Sequence, residues 1–267
     1  MIENFEFKEN YNVDDLVEIM KILRGENGCP WDKEQTHNSI RNNFIEEVYE
    51  VVDAIDNADN DALKEELGDV LLQIVFHTEI ENEQNGFDLE DVADGVCKKL
   101  ILRHPHIFGD VKADTSEKVL DNWDKIKMKE KGQESYTDTL KSVPKAFPAL
   151  IRAQKVQKRA GKANFDWEDV NEPLFKIGEE LAELKKAIEN GDNANIGEEL
   201  GDLLFATVNV SRFLKLDAEE TLNRATDKFI ARFEQIEKLA NERNIDMKTS
   251  NLDELDALWD EVKNKGF

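Results

Sequence analysis

The run Glu-Glu-Leu-Gly-Asp occurs twice, at Glu65–Asp69 and Glu198–Asp202. Each copy begins nineteen residues after the start of another acidic run, Glu46–Glu50 or Glu179–Glu183. Glu47 and Glu50 are three residues apart, as are Glu66 and Asp69, and Glu180/Glu183 and Glu199/Asp202 repeat both spacings. On a helix each such pair shares one face. A short connection makes consecutive helices antiparallel neighbours, so the two pairs of one copy can converge on one point. Four carboxylates packed together repel unless a cation sits among them. Mg²⁺ suits this arrangement, because it takes few protein oxygens and fills its shell with water and substrate phosphates. A single Glu-x-x-Glu is more often a solvated acidic face; recurrence of both pairs with their spacing intact favours the metal.

The opposite charge follows in each copy. Lys99 and Arg103 stand at i, i+4, and so do Lys228 and Arg232. Arg can grip phosphate oxygens in a two-pronged contact, and Lys adds a point charge. Trp123 with Lys127, and Trp259 with Lys263, form a second i, i+4 pairing in which an indole could stack on a ring while the ammonium reaches a phosphate. The bland readings are a salt-bridged surface for the first pairs and a core tryptophan with a snorkelling lysine for the second. Acids for a metal, bases for phosphates and an aromatic for a ring together describe a nucleotide site.

These residues need elements to hold them, and the chain reads as helix throughout. Apolar residues recur every three or four positions in VDDLVEIMKIL, FIEEVYEVVDAI and LKEELGDVLLQIVFHTEI, and in their counterparts of the second half. Asp88 and Asp217 stand where N-caps are wanted. No alternating β-branched run between turn signals suggests a sheet. A shift of 133 residues lays positions 44–77 over 177–210 without a gap, and fifteen of the 34 positions are identical. Downstream the shift becomes 129, which puts a four-residue difference near Glu81–Gly86, and then 136 where NWDKIK echoes LWDEVK. The period is too long for a solenoid, so two copies of one helical domain are expected. The expected boundaries are residues 1–131 and 147–267, joined by a polar linker at 132–146 that carries proline.

Composition narrows the function. The chain of 267 residues carries 59 acidic against 35 basic residues, a net charge of −24 that would repel a nucleic-acid backbone. No run approaches the length of apolar sequence that a membrane span needs, and no signal peptide is evident. The two cysteines form no metal or disulfide framework, and a cytoplasmic location is expected.

With CPWDKEQTH at Cys29–His37, RHPHIFGD at Arg103–Asp110 and FPALIRAQKVQKRAGKANFDW at Phe147–Trp167, the doubled acidic pattern resembles the MazG family over nearly the whole chain. The resemblance implies an all-α nucleoside triphosphate pyrophosphohydrolase of tandem helical bundles. Such an enzyme uses Mg²⁺ to release a monophosphate and pyrophosphate, and forms a homodimer. It implies that Glu180, Glu183, Glu199 and Asp202 are metal-binding and catalytic, and that Lys176, Lys228, Arg232, Trp259 and Lys263 contact the nucleotide. The first-half counterparts are Glu47, Glu50, Glu66 and Asp69 for metal, with Lys99, Arg103, Trp123 and Lys127 for nucleotide. Asn164 departs from the pattern, which usually places glycine before Phe-Asp-Trp. Water is the expected nucleophile, with one carboxylate as general base. Three rival readings are a helical partner-binding dimer, a nucleotide sensor and a di-iron bundle. The last needs Glu-x-x-His on two helices, and the sequence offers only Glu34-x-x-His37, outside the repeat. Of the two sites, the second half is expected to be the principal one.

Overall fold

A computed structural model describes residues 5–266, and they form thirteen helices with no strand among them. The chain divides into two compact units between Lys127 and Met128. The first unit holds α1 (Val13–Arg24), α2 (Pro30–Glu34), α3 (Arg41–Asp56), α4 (Asn60–Asn82), α5 (Leu89–Arg103) and α6 (Pro105–Phe108), with most of α7 (Ser116–Glu130), whose last three residues lie past the division. The second holds α8 (Tyr136–Lys141), α9 (Ala149–Lys162), α10 (Asn171–Asn190), α11 (Asn193–Phe213), α12 (Ala218–Glu242) and α13 (Leu252–Asn264). The stretch at 132–146 thus contains a helix of its own. Ser135 and Asp138 cap α8 reciprocally, Val143 is buried, and Arg159 of α9 donates to the Thr139 carbonyl and, at 2.8 Å, to the Ser142 hydroxyl.

The repeat extends to the helix ends. Asp59 caps α4 and Asp192 caps α11, while Asp88 caps α5 and Asp217 caps α12; each carboxylate accepts backbone N–H groups that the first turn leaves without partners. Between α3 and α4 the chain reverses through Ala58 at φ 53°, and between α10 and α11 through Gly191 at φ 68°. That left-handed residue lets each helix fold straight back on its predecessor, which sets the two acidic pairs against each other. The four-residue difference is shared: α4 has 23 residues against 21 for α11, and six residues rather than four join it to the next helix.

Burial gives each unit its own core. In the first, Met20, Ile40, Val75, Phe76 and Ile80 cluster, with Leu16, Val17, Leu71, Leu72 and Leu89 against them. This core sits toward the C-terminal half of α4 and leaves its N-terminal half, with Glu66 and Asp69, to face α3. In the second unit Ile236 and Ala240 of α12 pack on Leu258 and Val262 of α13, with Trp259 at the edge.

Candidate active site

Glu47 on α3 and Glu66 and Asp69 on α4 bring one carboxylate oxygen each to within 4.8 Å of one another. Burial pushes the Glu47 carboxyl above the usual carboxylate range, the Asp69 and Glu50 charges add to this, and a hydrogen bond from the Gln73 amide opposes it. Burial likewise raises Glu66, helped by the charge of Glu50 and a hydrogen bond shared with it. Glu50 therefore belongs to the cluster electrostatically although it lies outside the group of three.

In the second unit Glu180 of α10 and Glu199 and Asp202 of α11 form the same 4.8 Å group. Glu199 is raised by burial, then by the charges of Glu183, Glu180 and Asp202, so Glu183 stands to this group as Glu50 does to the first. The environments differ at one corner. Glu180 is buried, and the Lys176 ammonium lies 2.7 Å from its Oε1 and 3.2 Å from Glu179 Oε2. Hydrogen bonds to Glu180 and then Glu179 raise the Lys176 pKa. The position of Lys176 is Asn43 in the first unit, and that of Gln73 is Ala206 in the second. Each unit thus steadies its first glutamate with a different side chain. The family resemblance gave Lys176 as a nucleotide contact but not as the partner of Glu180, and Gln73 was missed; both lie four residues from an acid of the site.

Oxygen donors on two facing helices fit a hard divalent cation. Among the described residues the groups of three able to surround a metal consist of carboxylates alone. Glu34-x-x-His37 does not join them. His37 instead meets His77, Nδ1 to Nδ1 at 2.7 Å with stacked rings, and its Nε2 lies 2.8 Å from Glu81. Burial lowers the His77 pKa, and the His37 charge lowers it further.

The arginines and the aromatic residues meet across helices. The Arg103 guanidinium of α5 lies 5.2 Å from the Trp123 ring of α7, and that of Arg232 of α12 lies 5.7 Å from the Trp259 ring of α13. Phe229 adds a ring 5.3 Å from Trp259. Lys99, Lys228 and Lys263 are exposed, and Lys127 is half-buried near the end of α7. Trp259 therefore does two jobs, closing the α12–α13 core and presenting a face to Arg232.

The sequence that builds this site is similar to those of known proteins. A family model described as the MazG nucleotide pyrophosphohydrolase domain matches residues 35–108 and 171–236. The two segments contain all eight carboxylates and both Lys/Arg pairs, and they stop short of Trp123 and Trp259. The chain is 42% identical over 254 residues to a nucleoside triphosphate pyrophosphohydrolase of Escherichia coli K12, covering 94% of this chain and 97% of that one. It is similarly 42% identical over 250 residues to the nucleoside triphosphate pyrophosphohydrolase/pyrophosphatase MazG of Thermotoga maritima, covering 94% and 95%. An uncharacterised Bacillus subtilis protein, YabN, is 46% identical over 246 residues, which span 92% of this chain and half of that protein.

Proposed function

The chain belongs to the MazG nucleotide pyrophosphohydrolase family, and from that premise we propose how its residues carry out the reaction. It hydrolyses nucleoside triphosphates to a nucleoside monophosphate and pyrophosphate. We assign one divalent cation, Mg²⁺, to each carboxylate group: Glu47, Glu66 and Asp69 with Glu50 beside them, and Glu180, Glu199 and Asp202 with Glu183. The observation that carries this reading is the convergence of three carboxylates in each of the two segments matched by the family. When bound, the metal supplies charge neutralisation and polarises the phosphate oxygens.

The protein's own groups supply the rest. Lys176, Lys228, Arg232 and Lys263 bind phosphate oxygens and neutralise charge as it shifts to the leaving pyrophosphate. A carboxylate of the site holds the attacking water and takes its proton. The new P–O bond comes from water, and the bond that breaks is the anhydride between the α and β phosphorus atoms. Trp259 offers its face to the organic part of the substrate. Lys99, Arg103, Trp123 and Lys127 do the same work in the first unit.

We rank the second unit as the principal catalyst. Lys176 beside Glu180 and the unbroken α12 support this, whereas α5 stops at Arg103 before His104 and Pro105. We further propose a cytoplasmic homodimer. Ile45, Val48, Val52 and Ile55 of α3 and Leu222, Phe229, Ile230 and Phe233 of α12 are exposed, apolar surface of the kind a second copy covers. Among the described residues no helix is long and apolar enough to cross a membrane. A panel of ribo- and deoxyribonucleoside triphosphates, with Mg²⁺ or EDTA and products separated by ion exchange, tests the reaction. Monophosphate and pyrophosphate are expected with Mg²⁺ only. Hydrolysis that persists in EDTA would refute the metal assignment.

A further inference from the structure

We propose that the Lys176 ammonium is the resident counter-ion of the second carboxylate group: it holds Glu180 until Mg²⁺ displaces it, and only then turns to the substrate's phosphates. The inference rests on the metal and phosphate assignments made above, and it adds the exchange that couples them in the second unit.

The starting point is a buried negative charge. Glu180 is 6% exposed, and a carboxylate withdrawn from water is costly unless a cation stands beside it. Lys176 is that cation, with its ammonium 2.7 Å from Glu180 Oε1. Glu180 also brings an oxygen to within 4.8 Å of those of Glu199 and Asp202, where the metal ligands converge. Mg²⁺ binds oxygen at roughly 2.1 Å, so on this carboxylate it would sit close to a second positive charge. Two cations on one buried carboxylate repel, and metal entry therefore opposes the Lys176 contact.

The pair is poorly placed for helix stability. Lys176 precedes Glu179 and Glu180 by three and four residues on α10, whereas the favoured order puts the acid ahead of the base. Glu18–Lys21, Asp94–Lys98, Glu234–Lys238 and Glu261–Lys265 all follow the favoured order, and their acids are far more open than Glu180. The Lys176 side chain is 40% exposed, so it can leave without unpacking a core. Glu179 Oε2, 3.2 Å away, keeps the ammonium near the site when Glu180 is taken.

The first unit lacks this device. Its residue at the same position is the uncharged Asn43, and Glu47 accepts from the neutral Gln73 amide instead. Mg²⁺ entering there displaces no ammonium. The first group should thus take free Mg²⁺ more tightly. In the second, metal and triphosphate each bind better once Lys176 has changed partners, so each favours the other.

Calorimetric titration with MgCl₂ and no nucleotide reads the exchange directly. A Glu47→Gln background silences the first group, so the signal belongs to the second. There Lys176→Met, which keeps the stem and removes the ammonium, should bind Mg²⁺ at least about fivefold more tightly. Lys185→Met removes a charge of the same helix that pairs with no carboxylate among the described residues, and should change binding less than about twofold. In a Glu199→Gln background, Asn43→Lys should weaken Mg²⁺ binding at the first group by a similar factor. With saturating Mg²⁺ and a good triphosphate the effect of Lys176→Met reverses, and KM rises at least about tenfold. Circular dichroism checks each variant; if Lys176→Met misfolds, Asn43→Lys decides alone. Unchanged or weaker Mg²⁺ binding in folded Lys176→Met, an equal gain in Lys185→Met, an unchanged KM, or unchanged Mg²⁺ binding in Asn43→Lys would overturn the exchange. The calorimetric arm needs no hydrolysis, so these outcomes are distinct from hydrolysis that persists in EDTA, which would refute the metal assignment itself.

Discussion

Glu47→Gln separates a metal site from an ordinary acidic face, because the metal reading predicts that stability and metal binding move in opposite directions. Glu47 has a carboxylate oxygen within 4.8 Å of those of Glu66 and Asp69. Two unit charges at that distance repel by about 0.9 kcal/mol at the dielectric of water and about 3.5 kcal/mol at an effective value of about 20. Glu47 is only partly shielded, so screening holds the relief near the lower figure, about 1 kcal/mol. The amide keeps the shape and can still accept from Gln73. In EDTA the variant should therefore melt roughly 3 °C above the wild type. Calorimetric titration should find one Mg²⁺ bound per chain rather than two. Glu180→Gln is the contrast, since it removes the charge that pairs with Lys176 at 2.7 Å and the apo protein should gain nothing. If Glu47→Gln lowers the apo melting temperature, or leaves two Mg²⁺ sites, the account of the cluster is wrong.

Three further outcomes follow from the same geometry. Glu199→Gln should lower kcat/KM at least about 100-fold and Glu66→Gln less than about tenfold, with the double variant close to Glu199→Gln; the reverse order would overturn the ranking of the units. The Arg212 hydrogen bonds depress the Asp166 pKa, so the stability this pair contributes is present above the normal carboxylate range and lost as pH falls through the lowered value. Asp166→Asn should cost about 1 kcal/mol at neutral pH, and chemical denaturation should show the difference from wild type vanishing as acid protonates the Asp166 carboxyl. Gly191→Ala puts a Cβ at φ 68° and should destabilise by about 1 kcal/mol in urea titration, an effect absent for Gly201→Ala within regular helix beyond its ordinary propensity gain.

Much of this was legible in the sequence, for local reasons. Helical periodicity, the Asp88 and Asp217 caps and the 133-residue repeat are all properties of neighbours along the chain, and they delivered the acidic pairs and the helices that hold them. The resemblance to the MazG family is borne out by the family match and by relatives of nearly equal length. What escaped depends on packing between elements. Spacing along a helix paired Trp123 with Lys127 and Trp259 with Lys263, whereas the folded chain sets Arg103 and Arg232 on those indoles from a different helix. Gln73 carries no signal until α3 lies against α4. The polar stretch before Pro144 reads as a connection, yet Arg159 ties the α8 turn to α9 from seventeen to twenty residues away. The His37–His77 contact likewise spans forty residues and has no local signature.

The central claim is that water, held at the carboxylates of the second unit, cleaves the bond between the α and β phosphorus atoms. Hydrolysis of one good triphosphate in ¹⁸O-labelled water with Mg²⁺, followed by mass spectrometry of the products, tests it most directly. The account predicts label in the monophosphate or the pyrophosphate, none in orthophosphate, and loss of the labelled product in the Glu66→Gln/Glu199→Gln double variant. Labelled orthophosphate beside a nucleoside diphosphate, or undiminished labelling in the double variant, would contradict it.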